Sequence, residues 1–180
     1  LPIQQGTPMK ISVIALSLCM ACCAVSAAPA PDKMPVIGKW SGRGETVGNT
    51  FTACAILSPY MDNLYLHLDY SVHYDKAGLP ALKTETFYYF LDGGKVEGVS
   101  LDNQSNVFQL NGIYAERRMS TQGLKNGKAI AQTEWRLSED GKTLSYVRFG
   151  QMPSGEMKEI SEVAMTRVPD GGHCGKTDHL

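Results

Sequence analysis

The sequence has little concentrated charge, almost no helical periodicity and none of the compact signatures of common catalytic sites. Its 17 Lys+Arg stand against 18 Asp+Glu, a formal net charge of −1. That leaves no clustered positive surface of the kind that holds nucleic acid or an anionic membrane. Beyond Val25 no apolar stretch is long enough to cross a bilayer as a helix, so no membrane span is expected there. There is no Gly-x-Ser-x-Gly elbow. Gly141-Lys142-Thr143 and Gly175-Lys176-Thr177 look like the end of a phosphate loop, but Arg136 and Asp170 occupy the places where its first glycine is required. His-Glu-x-x-His is absent, Cys-x-x-Cys does not occur after Ala27, and no two carboxylates are spaced to fix an acid–base pair. The chain therefore reads as a binding or structural protein rather than an enzyme. No catalytic residue, cofactor or metal is assigned.

What is present begins at the N-terminus. Met9-Lys10 leads into an apolar run from Ile11 to Val25, which ends in Val25-Ser26-Ala27. A charged start, a short apolar stretch and a small-residue cleavage site make a secretory signal, too short to span a bilayer comfortably. Leu1 to Pro8 fit no part of such a signal and read as an over-extended translation ahead of Met9. Cleavage after Ala27 leaves Ala28 first, whereas cutting after Ala28 or Ala30 would place a proline immediately beyond the cut. The expected location is periplasmic or secreted. A lipid-anchored envelope protein is the alternative, since Cys19, Cys22 and Cys23 lie near the apolar run, though none follows a leucine and two small residues.

Removal of the signal takes away only Lys10, leaving 16 positive against 18 negative residues, a net of −2. It also leaves two cysteines, Cys54 and Cys174, and an even pair in an exported chain is expected to be bridged. The mature length suits one domain with one core.

Within that domain the period is two. Leu66, Leu68, Tyr70, Val72 and Tyr74 fall on one face of a strand, with His67, Asp69, Ser71 and His73 on the other. Turn signals recur at Asp75-Lys76-Ala77-Gly78, Asp92-Gly93-Gly94, Asp102-Asn103, Lys125-Asn126-Gly127, Glu139-Asp140-Gly141 and Pro153-Ser154-Gly155. The pattern predicts strands over 37–46, 50–58, 64–74, 82–91, 95–101, 106–114, 117–123, 128–137, 143–151 and 156–168. The expected fold class is all-β, a single antiparallel up-and-down β-barrel of about 8–10 strands, because so many strands strain an open sheet and closure removes its edges. Residues 1–27 are then upstream residues plus signal, 28–35 a flexible leader, 36–168 the barrel and 169–180 a flexible polar tail.

Ile37-Gly38-Lys39-Trp40, opening the first predicted strand soon after a signal, resembles the Gly-x-Trp signature of the calycin group, the lipocalins, fatty-acid-binding proteins and their relatives. The resemblance implies a tryptophan closing one barrel end and an arginine from the last strand stacked on it. Arg167, in Met165-Thr166-Arg167-Val168, stands where that arginine belongs. Such a pair is structural, a plug and a cation–π contact. Gly38-Lys39-Trp40-Ser41-Gly42-Arg43-Gly44 is also similar to the opening of nitrobindin-like haem proteins, which take their iron ligand from a histidine on a late strand. This chain has no histidine between His73 and His173, and His173 lies past the last predicted strand, so no haem is expected.

The remaining candidates are surface or lining residues. His67 and His73 share a face but are too far apart along a strand to hold one metal, and a solvated polar face is the reading. His173, Cys174, Asp178 and His179 are metal-capable types in a segment without fixed geometry. Phe87-Tyr88-Tyr89-Phe90 puts aromatics on both faces of one strand, and Tyr70, Tyr88 and Phe90 are the candidate ligand-lining residues. The expected function is the binding of a small apolar or amphipathic ligand. The alternative is a barrel filled by its own side chains, acting as a structural or protein-interaction domain of the cell envelope.

Overall fold

A computed structural model describes residues 27–174. The expected signal falls outside the described residues except for Ala27, and so do Asp178 and His179 of the tail. The strands are β1 Gly38–Thr46, β2 Asn49–Tyr60, β3 Tyr65–Tyr74, β4 Leu82–Phe90, β5 Lys95–Asp102, β6 Val107–Ala115, β7 Arg118–Lys125, β8 Lys128–Leu137, β9 Thr143–Gln151 and β10 Met157–Arg167. Each stands where the alternating pattern predicts it.

Sequential strands pair antiparallel all the way round, and β10 closes on β1 in a register running from Trp40↔Arg167 to Thr46↔Ser161. The up-and-down path gives the barrel two unlike ends. The loops at 61–64, 91–94, 116–117 and 138–142 lie at one end, the base, together with the entry into β1 and the exit from β10. The loops at 47–48, 75–81, 103–106, 126–127 and 152–156 lie at the other, the mouth.

The base is sealed. Trp40 is fully buried, and its Nε1 donates to the carbonyl of Val36 at 2.8 Å. The Arg167 guanidinium carbon sits 4.3 Å from the Trp40 ring centroid. Arg167 also donates to the carbonyls of Ile37 at 2.6 Å and Pro35 at 2.9 Å. The glycines around the tryptophan make this approach feasible. A Cβ on Gly38 would stand 2.4 Å from Arg167 Nη1, and one on Gly42 would stand 2.1 Å from the Ala164 carbonyl oxygen on β10. The Gly-rich opening thus has a steric purpose at the β1–β10 seam.

The leader departs from the free tether expected over 28–35. Pro31–Lys33 forms one 3₁₀ turn, and Pro31, Met34 and Val36 are buried against the core beneath Trp40. The reason is hydrophobic: the barrel end would otherwise expose Leu57, Leu66 and Leu144, and Met34 and Val36 cover them. The seven residues past β10, 168–174, are tied down as well. Val168 N donates to Lys39 O at 2.8 Å, Lys39 Nζ donates to Gly172 O at 3.1 Å, and buried Cys174 is disulfide-bonded to Cys54 of β2 with Cα atoms 5.5 Å apart.

Candidate functional site

Alternation decides which side chains point inward, and height along the barrel decides what they meet. Toward the base the inward residues are Leu57, Leu66, Val96, Met119, Leu144 and Met165, all buried and apolar. Toward the mouth they become polar. Thr86 of β4 and Ser100 of β5 share a hydroxyl hydrogen bond at 2.8 Å, and Thr121 of β7 and Thr133 of β8 share another at 2.8 Å. An interior of this kind is unusual for a barrel filled merely to exclude water, because each buried hydroxyl needs a partner.

Between these layers lies an aromatic cluster from three strands. Tyr70 of β3 meets Trp135 of β8 edge-on at 6.1 Å and Tyr146 of β9 at 4.9 Å, and Trp135 and Tyr146 lie 4.1 Å apart at 31°. Tyr88 of β4, the strand paired with β3, joins them from the side facing Trp135 and Tyr146. Trp135 Nε1 is buried and faces the Tyr88 hydroxyl, its nearest acceptor, in an arrangement looser than full hydrogen-bond geometry.

Above the cluster is a cavity of about 60 Å3, lined by Tyr70, Tyr88, Ser100, Asp102, Tyr146 and Arg148 among others. A second, of about 150 Å3, lies at the mouth beside the β10 bulge and shares Tyr70, Tyr146 and Arg148 with the first. Arg148 therefore borders both. Its guanidinium makes no hydrogen bond or ion pair among the described residues. Asp102 lines the same space but is already engaged: it accepts from Gln104 N at 3.0 Å, Asn106 N at 2.8 Å and Asn106 Nδ2 at 2.9 Å. Its partial burial opposes ionisation, yet those three donors and the field of Arg148 hold the carboxyl below its ordinary range.

Burial raises the pKa of Tyr70, Tyr88 and Tyr146, and of Tyr114 nearer the base. At Tyr70 and Tyr88 the neighbouring Tyr146 adds to it, and at Tyr146 the positive Arg148 offsets it in part. Exposed tyrosines ionise near pH 10, so Tyr70, Tyr88 and Tyr146 should still be protonated there. Above about pH 10 the folded protein then holds more protons than the unfolded chain, and stability falls as pH rises. An ultraviolet titration should show a block of tyrosines that ionises only with unfolding. Free ionisation of every tyrosine near pH 10 in folded protein would contradict this burial.

Of the candidate lining residues, Tyr70 and Tyr88 stand together at the cavity. Phe90 shares their inward orientation but sits closer to the base, edge-on to Tyr114 at 5.7 Å, outside the cavity lining. Tyr146 and Arg148 line both cavities and were not among the residues picked out by the sequence, and Trp135 packs beneath them in the aromatic cluster. On β9 the pattern Leu144-Ser145-Tyr146-Val147-Arg148-Phe149 has apolar residues on both faces, and an arginine on one of them argues for the wrong face.

On the outer wall His67 stacks on Phe87 at 4.7 Å and 22°, next to Tyr60 at 5.8 Å, with its Nε2 3.9 Å from Glu85 Oε2. Among the described residues no three His, Cys, Asp or Glu come together as a metal would need.

No protein-family model and no curated protein matches the chain. Among solved structures it is similar to the crystal structure of Rv2717c from M. tuberculosis, with a TM-score of 0.58 and 15% sequence identity over 80% of this chain and 100% of that one. At that identity the likeness is one of fold, a closed antiparallel barrel.

Proposed function

We propose that this chain is an exported, calycin-like barrel that binds a small amphipathic molecule through the mouth of its interior. The observation that carries this reading is the half-buried Arg148, turned inward onto two cavities with no hydrogen bond or ion pair of its own among the described residues. A guanidinium placed there loses part of its hydration, and that loss is recovered when an acceptor enters. Tyr70, Tyr88 and Tyr146 supply rings for an apolar body and hydroxyls for its polar edge. The sealed base leaves the mouth as the way in. Export rests on the N-terminal signal and agrees with a disulfide in the mature chain.

A structural or interaction domain is the second reading. It is favoured by the exposed Tyr60, Met61 and Leu64 at the β2–β3 hairpin, an apolar patch at the rim of the base.

Native mass spectrometry of protein purified from its natural source tests both parts at once. The expected polypeptide begins at Ala28 and carries a small-molecule adduct lost on denaturation. A bare mass, with no ligand-dependent change in Trp135 emission across a small-molecule screen, would rule out the binding reading in favour of the second. An intact Met9 terminus in soluble cytoplasmic protein would rule out export.

A further inference from the structure

Resting on the binding reading above, we infer that the ligand is a small planar carboxylate on a body of about one ring, and that Arg148 takes its charged group. Size, charge and shape each narrow the class.

Size comes from the two cavities, about 60 and 150 Å3. A cavity of about 150 Å3 holds a benzene-sized molecule, whereas pockets for larger organic ligands run from about 300 Å3 upward. Below the aromatic cluster the interior is full. The void between Met34, Val36, Leu57, Trp135 and Leu144 measures about 10 Å3, room for about one water. A long acyl chain has no path past Tyr70, Tyr146 and Trp135 to the base.

Charge comes from the balance of donors and acceptors. Arg148 offers five N–H groups in a fixed fork, none of them committed to a partner among the described residues. Asp102, the carboxylate in the same lining, has its oxygens taken by Gln104 and Asn106. Thr86 with Ser100, and Thr121 with Thr133, satisfy one another. The unmet demand inside the mouth is therefore for an acceptor. A planar carboxylate meets it best, because two parallel N–H···O bonds match the guanidinium fork.

Shape comes from the tyrosines. Tyr70 and Tyr146 border both cavities and are themselves 4.9 Å apart in a tilted pair, so a flat body can lie against their rings while its carboxylate reaches Arg148.

Isothermal titration of the disulfide-intact protein with benzoate, benzyl alcohol, benzylamine and palmitate decides the class. Benzoate should bind, with benzyl alcohol and benzylamine weaker by about ten- to hundredfold, the difference made by hydrogen bonds to a charged group. Arg148→Gln should remove the preference for benzoate, and Arg148→Lys should restore part of it, since an ammonium keeps the charge without the fork. The wild-type series needs no variant, so the assignment stays open to refutation even if Arg148→Gln folds poorly. Equal binding of benzoate and benzyl alcohol, or tighter binding of benzylamine, would overturn the carboxylate assignment and leave the binding reading standing. Tight binding of palmitate without benzoate would overturn the size class alone. No binding by any probe, together with a bare mass from the natural source, would remove the binding reading itself.

Discussion

Replacing Trp40 with alanine should lower the free energy of unfolding by about 3–5 kcal/mol, the range for losing a large ring from a packed core. Three losses coincide. The fully buried indole vacates the centre of the base, the Val36 carbonyl loses its donor, and Arg167 loses the face on which it lies. Met34 and Val36, which close the barrel from below, lose the surface they pack on. Arg167→Lys should cost less, about 0.5–2 kcal/mol, because an ammonium can reach the ring but cannot stack on it and serve the Ile37 and Pro35 carbonyls together. Denaturant titration with an unchanged m value measures both. A Trp40→Ala cost below about 1 kcal/mol would mean that the tryptophan does not carry the closure.

Loss of the Cys54–Cys174 bridge should cost about as much by a different route. The two cysteines are 120 residues apart in sequence, and freeing a loop of that length adds about 4–5 kcal/mol of chain entropy to the unfolded state. Damage to the folded state should be confined to the strap after β10, which crosses Lys39 and ends at Cys174. The Cys54→Ser, Cys174→Ser double variant should therefore keep its barrel circular dichroism and Trp40 environment while its denaturation midpoint falls sharply. Non-reducing peptide mapping of the unmodified protein provides the control. Two free thiols in oxidised, folded protein would contradict the bridge.

Much of the barrel is legible along the chain, for a physical reason. Alternation such as Leu66-x-Leu68-x-Tyr70-x-Val72 follows directly from strand geometry, and turns such as Asn126-Gly127 need a positive φ that their residues tolerate. The seam is legible too, since Gly38, Trp40 and Arg167 are each required by one close approach. Height within the barrel is not. Tyr88 and Phe90 point the same way, but strand tilt and stagger, which no single strand encodes, place one at the cavity and the other toward the base. The leader hid its role because Pro31, Met34 and Val36 have no periodic pattern, and they are buried only because the barrel end beside them is apolar. Arg148 hid for the opposite reason. A charged residue on an inward face breaks the rule by which faces are assigned, and such breaks concentrate where proteins bind things.

Both ends of the described chain leave from the closed side. Ala28 N donates to Asp92 Oδ1 in the β4–β5 loop, and Cys174 is fastened low on the outer wall beside Trp40. The barrel is thus a cup held by its foot. Anything joined just ahead of Ala28 or just after Cys174, whether a surface anchor, a neighbouring domain or the matrix of a biosensor chip, stands on the closed side with the opening turned away from it. A protein immobilised at Ala28 would present Arg148 and the tyrosines to the bulk solution, and a partner fused directly after Cys174 would leave the entrance clear.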